Sequence, residues 1–219
     1  MLIFLWRTIT AVICTAFLHC AVFLLMPDLS LVSAVTVQAM KILRQYHVIP
    51  DVIDVAPTSV IQVRYPNHVI VKMGGELNMT DAAQKPLITW PAASDGYYTL
   101  IMTDPDSPTP LKPTNREFKH YMVVNIPGSK VGEGDVCAEY IGPINDHDRG
   151  IHRYVFVAFR QQDIHPFEEG FLTTEDIKQR ANFSSLGFAK KHEFGYPVAV
   201  NFFRVDFKRD QDTDPRRRG

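Results

Sequence analysis

Apolar positions follow three regimes along the chain. From Thr8 to Met26 the sequence is almost wholly apolar, with Arg7 the one basic residue ahead of it. Residues 35–48 then place Val37, Met40, Leu43 and His47 on one side at helical spacing, which predicts a short helix. Pro50 ends any helix there. From Val60 the texture turns β-rich. Residues 60–65 and 69–73 flank Pro66-Asn67-His68 and predict a hairpin, closed by Gly74-Gly75. Leu87 to Trp90 is a further short strand. Tyr97–Thr103, Phe118–Ile126 and His152–Arg160 are the strongest strands, rich in aromatic and β-branched residues. The last two are apolar on both alternating faces, as central strands covered on both sides should be. Thr173-Thr174-Glu175-Asp176 reads as a helix start, residues 183–194 as a second short helix, and Pro197–Phe207 as a final strand. No repeat, heptad or linker divides the chain. The pattern predicts a mostly β domain, sandwich-like or mixed-sheet, with a few peripheral helices.

The apolar run near the start changes the picture of where this domain works. A short charged beginning followed by a hydrophobic run reads as a secretory signal, and Val32-Ser33-Ala34 supplies small residues for cleavage after Ala34. The expected organisation is a leader over 1–34, a domain over 35–207 and a polar tail over 208–219 that ends in Arg216-Arg217-Arg218. An uncleaved anchor is the alternative, because a bilayer needs about 20 apolar residues. Cys14 and Cys20 fall in the leader, so Cys137 alone would remain and no internal disulfide can form. Cys137 sits in a β-like stretch without a basic neighbour in sequence, so it reads as a buried, inert thiol. Asn78-Met79-Thr80 and Asn182-Phe183-Ser184 are N-glycosylation sequons, the first read as the more exposed. The formal net charge of the 219 residues is -1, which offers no general attraction to nucleic acid. A monomer without cofactor or metal is expected.

Three segments could carry chemistry. Thr103-Asp104-Pro105-Asp106-Ser107-Pro108 follows a strong strand, and its two prolines stiffen a turn around two carboxylates. Strand alternation groups Phe118, His120, Met122 and Val124 on one face, with Asp104 a candidate partner for the His120 ring. His152 and Tyr154 share a face that continues into Phe156 and Ala158, and Arg153 points the other way. Each feature alone reads as ordinary structure. Together, an acid that orients imidazoles and two imidazoles beside a phenol can present hydrogen bonds to one small anion.

These residues resemble a known family. Residues 98–108 resemble the acidic signature of the phosphatidylethanolamine-binding protein family, and Gly150-Ile151-His152-Arg153-Tyr154-Val155-Phe156 resembles its second signature. Residues 116–125 match the strand between them, and Pro197-Val198-Ala199 the C-terminal segment. Val48-Ile49-Pro50-Asp51-Val52-Ile53-Asp54 looks like the opening segment of secreted invertebrate members. The resemblance spans most of 46–207. It implies a large antiparallel-rich central sheet packed with a smaller sheet and a few helices. It also implies an anion pocket for phosphate-containing groups, phospholipid head groups among them. On that basis Asp104, Phe118, His120, Gly142, His152 and Tyr154 would line the pocket, with Asp106, Pro108 and Arg153 in structural support. Two features depart from the family pattern. The loop over 142–149 keeps Gly142, lacks paired prolines, and carries Asp146 and Asp148. The terminal helix near the pocket mouth is also missing.

A secreted binding protein for phosphorylated head groups or similar small ligands is therefore expected. The alternative is a protease or signalling inhibitor that acts through protein contacts. A hydrolase built on Asp104, Ser107 and a histidine ranks last, since Ser107 lies in a proline-bounded turn and no G-x-S-x-G elbow is present.

Overall fold

The structure, a computed structural model, describes residues 29–144 and 150–207. The chain divides into two compact units, Met1–Gln38 and Ala39–Gly219. Of the first, only the helical stretch from Leu29 is described. The expected leader run, the acidic part of the 142–149 loop and the polar tail lie outside the described residues.

The second unit is built on one seven-stranded sheet. Its strands in chain order are β1 (Ser59–Val60), β3 (Gly75–Glu76), β5 (Tyr97–Asp104), β6 (Phe118–Pro127), β7 (Asp135–Ala138), β8 (Ile151–Arg160) and β9 (Pro197–Asp206). Their spatial order is β1-β9-β8-β5-β6-β7, with β3 also on β9. The four long strands pair antiparallel, and the short β1 and β3 run parallel to β9. A second sheet pairs β2 (Gln62–Arg64) with β4 (Leu87–Thr89). The mostly β, antiparallel-rich class read from the sequence is the one observed.

The long strands are central because both of their faces are apolar. Tyr98, Leu100, Met102, Tyr154, Phe156, Ala158 and Phe203 pack on one side with Val63, Ile88 and Trp90 of the small sheet and its flanks. Ile101, Val155, Val157, Phe159, Val200 and Phe202 pack on the other with Leu43, Val52, Ile53 and the helix Ser185–Lys191. That helix is capped at its start by Ser184, whose Oγ accepts from the Gly187 N–H at 3.0 Å.

Several local expectations are corrected. The first helix, α1, spans Leu29–Gln45 rather than beginning at 35. Of the four residues grouped on one side at helical spacing, Leu43 alone is buried, while Val37, Met40 and His47 are exposed. The buried side is set by Ile42, Leu43 and Tyr46. His47 turns the chain at φ 54, and α2 (Val48–Asp51) is a single distorted turn carrying the cis Ile49–Pro50 bond. Residues 69–73 fold back on β2 through an isolated bridge between Arg64 and Ile70, not as a full strand. The Thr173–Asp176 segment is a turn in which Asp176 accepts from the Thr173 N–H and hydroxyl, each at 2.8 Å. Only a short 3-10 turn, Lys178–Arg180, follows it. The second helix is shorter than expected and is labelled α3 (Ser185–Lys191). Asn78 and Asn182 are both exposed, so neither sequon is the more accessible by class.

Candidate functional site: a histidine–carboxylate cavity

The C-terminal end of β5, the start of β6 and the start of β8 lie side by side. Their ends meet at a cavity of about 100 Å³. Asp104, Ser107, Pro108, Phe118, His120, His152 and Tyr154 line it, together with Asn115, Ile144 and Ile177.

The acidic turn is held on both sides of the sheet. Asp104 Oδ2 accepts from His152 Nδ1 at 2.7 Å, and Oδ1 accepts from the Asp106 N–H at 2.7 Å. Asp106 faces the opposite way, onto Arg153. Its carboxylate accepts from Arg153 N at 2.9 Å, Nε at 2.8 Å and Nη2 at 2.7 Å. Alternation along β8 explains the division, since His152 and Arg153 must point to opposite faces. Arg153 also donates to the Tyr46 carbonyl at 2.8 Å and pairs with Asp51 at 2.9 Å. Burial opposes the Arg153 cation, yet Asp106 and Asp51 outweigh it and raise its pKa above the ordinary value. The assignment of Asp104 as the partner of His120 is thus corrected: the carboxylate meets His152.

His120 reaches the cavity through a β-bulge. Opposite β5, Met102 pairs with Tyr121 and Thr103 with Lys119, so His120 is the extra residue. The bulge resets the side-chain alternation. His120 therefore contacts Tyr154 and Phe118, each with ring centroids 5.0 Å away, while Met122 and Val124 enter the opposite core. Simple alternation, which grouped His120 with Met122 and Val124, fails at this residue. Arg180, wholly buried, supports the bulge by donating to the Lys119 carbonyl at 3.1 Å and the His120 carbonyl at 3.2 Å. It also donates to the Thr173 carbonyl at 2.7 Å. His120 Nδ1 donates to the Ile141 carbonyl at 2.9 Å. Burial lowers the His120 pKa; Asp104 opposes that effect without cancelling it.

Aromatic packing fixes the remaining walls. Tyr154 stacks on Phe203 at 5.1 Å, and the His152 ring meets the edge of Phe207 at 5.0 Å. Gly142, expected among the ligand-contacting residues, is not one of the residues that line this cavity, and its backbone lies beside the His120 ring. A Cβ there would stand 2.6 Å from the Ala82 carbonyl oxygen and 2.9 Å from Ala83 Cα. Gly142 thus allows a close backbone crossing beside Ile141, which orients His120. Pro108, read as support, does line the cavity.

Asn115, Ile144 and Ile177 were missed by sequence reading. They come from three separate connecting segments, and no local pattern joins them. Arg180 was missed for the same reason. Cys137 is buried, and burial pushes its thiol up to about 11 although Lys119 draws it down. The basic neighbour absent from the local sequence is supplied across the sheet by β6. Among the described residues no group of three His, Cys, Asp or Glu side chains is placed to hold a metal ion.

The fold and cavity define a class: a mixed-sheet domain carrying a small polar pocket at its strand ends. Residues 66–203 match the family model described as phosphatidylethanolamine-binding protein. The chain is 32% identical over 164 residues to a Drosophila melanogaster protein provisionally named odorant-binding protein A5, covering 75% of this chain and 78% of that one. It is 34% identical over 158 residues to the 26 kDa secreted antigen of Toxocara canis, covering 72% of this chain and 60% of the antigen. A solved carboxypeptidase Y inhibitor, in complex with its cognate proteinase, shares the fold at TM-score 0.65 and 22% identity, over 78% of this chain and 96% of the inhibitor. The chain belongs to the phosphatidylethanolamine-binding protein family.

Proposed function

We propose that this protein binds a small phosphorylated or similarly acidic ligand in the cavity between His120 and His152, and that it does so outside the cell. The observation that carries the reading is the convergence of Asp104, His120, His152 and Tyr154, from three strands, on one cavity of about 100 Å³. That volume suits a head group or another small group. Phe118, Ile144 and Ile177 give the same cavity apolar walls, as a site for part of an amphiphile would need.

The extracellular setting is supported by the secreted antigen among the relatives and by the apolar run before Ala34. Removal of residues 1–34 and glycosylation at Asn78 and Asn182 belong to this reading. Among the described residues no helix is long and apolar enough to cross a membrane.

A binding role is favoured over hydrolysis. Asp104 orients His152, but among the described residues no hydrogen bond joins the Ser107 hydroxyl to either imidazole. A role as an inhibitor would depend on surface contacts rather than on the cavity. An NMR titration with phosphorylethanolamine separates the two. Saturable shifts at cavity residues, lost in a folded His120→Ala/His152→Ala variant, are expected. A folded wild-type protein without such shifts would refute the cavity reading and direct attention to protein contacts.

A further inference from the structure

The small sheet departs from the pattern its position calls for. Its inner face, with Val63 opposite Ile88, is buried against the large sheet. Residues paired across strands share a face, and successive residues along a strand take opposite ones. Arg64 is paired with Leu87 on one side and bridged to Ile70 on the other, so these three stand together on the outer face. Gln62 and Thr89, the pair two residues along, stand there too. A sheet with one face on the core is normally polar on the other. Here Leu87 and Ile70 lie on the outer face at 68% and 52% exposure. They rim a cavity of about 400 Å³ where the small sheet meets β1 and β9, floored by the buried Ile61, Val71 and Asn201.

We propose that this cavity is a second binding site, for a small amphiphile whose apolar tail lies along Val60, Ile70 and Leu87 and whose carboxylate head meets the Arg64 guanidinium. The site shares no lining residue with the histidine cavity, so the proposal is independent of the anion-binding reading above. Its volume falls in the range of about 300–1,000 Å³ usual for small-molecule sites. The floor is closed to polar competition. Asn201 Nδ2 donates to the Ile61 carbonyl at 2.7 Å and the Val71 carbonyl at 3.3 Å, and its Oδ1 accepts from the Phe202 N–H at 2.8 Å. The buried amide is thus used in holding the floor, and a tail laid over it leaves no polar side chain stranded. The rim supplies the charge. Arg64 is the single charged residue that lines the cavity, and among the described residues its guanidinium enters no ion pair. A guanidinium matches a carboxylate with two parallel hydrogen bonds, and one cation matches one negative charge. An apolar rim beside one unpaired cation therefore fits an amphiphile with an acidic head better than a wholly apolar ligand.

The test is an amide NMR titration with hexanoate, octanoate and decanoate, and with decyltrimethylammonium, at fixed ionic strength and below micelle formation. Saturable shifts are expected at Val60, Ile70 and Leu87, with affinity rising about two- to fourfold for each added methylene as the tail leaves water. Decanoate should bind more tightly than the cationic amphiphile of the same tail. Arg64→Gln should lower decanoate affinity about two- to fivefold, the scale of an exposed ion pair, and remove most of its dependence on salt. Arg64 is exposed on the outer face, so this variant keeps the core intact. Saturation with phosphorylethanolamine should leave the decanoate shifts in place. Equal binding of decanoate and decyltrimethylammonium would overturn the assignment of the head to Arg64. Decanoate shifts confined to the histidine cavity, or none at all, would overturn the second site. Self-association of the unliganded protein that shifts Ile70 and Leu87 with concentration would give this face to a second copy of the chain and overturn the proposal as well.

Discussion

Replacing Asp106 with alanine should destabilise the domain without touching the cavity wall. The carboxylate accepts three hydrogen bonds from Arg153, at 2.7, 2.8 and 2.9 Å. Both side chains are largely withdrawn from water, at 7% and 11% exposure. Removing one partner of a buried pair leaves an uncompensated charge and costs about 3–5 kcal/mol. Arg153 keeps Asp51 and the Tyr46 carbonyl, so the lower end, about 3 kcal/mol, applies here. For a domain of this size, 1 kcal/mol moves the Tm by about 2–4 °C, so a fall of about 6–12 °C is expected. Asp51→Ala should cost far less, about 1 kcal/mol or below, because Asp51 is more exposed and its pair is screened. Thermal unfolding by circular dichroism, with urea unfolding alongside, reads both variants. A Tm for Asp106→Ala within about 2 °C of wild type would refute the claim that this pair staples the acidic turn to β8.

Other expectations are narrower. His120 has its folded pKa lowered by burial, so the unfolded chain takes the proton first. Its contribution to stability is therefore complete above the ordinary imidazole value of about 6.5 and is lost as pH falls below it, at up to about 1.4 kcal/mol per pH unit. Urea midpoints between pH 7 and 5 should fall less steeply for His120→Phe than for wild type, and parallel curves would contradict this. Gly142→Ala should displace the Ile141 carbonyl and weaken phosphorylethanolamine binding, because its Cβ would meet backbone atoms that cannot yield cheaply; unchanged affinity would speak against that positioning role. With its thiol pushed up to about 11 from 9.0, Cys137 should react about 100-fold slower than a free cysteine with a thiol reagent near neutral pH, and rapidly once the domain unfolds. Fast labelling of the native protein would show the thiol is not shielded as described.

The parts of the fold that were legible in the sequence share one property: their signal is local. Tyr97–Asp104, Phe118–Pro127 and Ile151–Arg160 are dense in aromatic and β-branched residues, and that density alone marked all three as strands. The turn Asp104–Pro108 and the opposed faces of His152 and Arg153 were legible for the same reason. What failed depended on tertiary context. The bulge at His120 is invisible to alternation, because one inserted residue reverses the faces after it. The two-residue strands at Ser59 and Gly75 exist only because β9 offers them an edge. Arg180 looks like a surface residue in sequence, yet it is buried by carbonyls that the bulge turns toward it. The choice of His152 rather than His120 as the partner of Asp104 likewise depends on where the strand ends meet.

The central claim is that both imidazoles, in the tautomers set by Ile141 and Asp104, face one anion-binding cavity. Long-range proton–nitrogen NMR of the histidine rings during a phosphorylethanolamine titration tests it most directly. The account predicts an N–H at Nδ1 of both rings in the free protein and saturable shifts of both His120 and His152 at a single ligand concentration range. Rings in the opposite tautomer, or rings that stay unmoved while the ligand saturates, would contradict it.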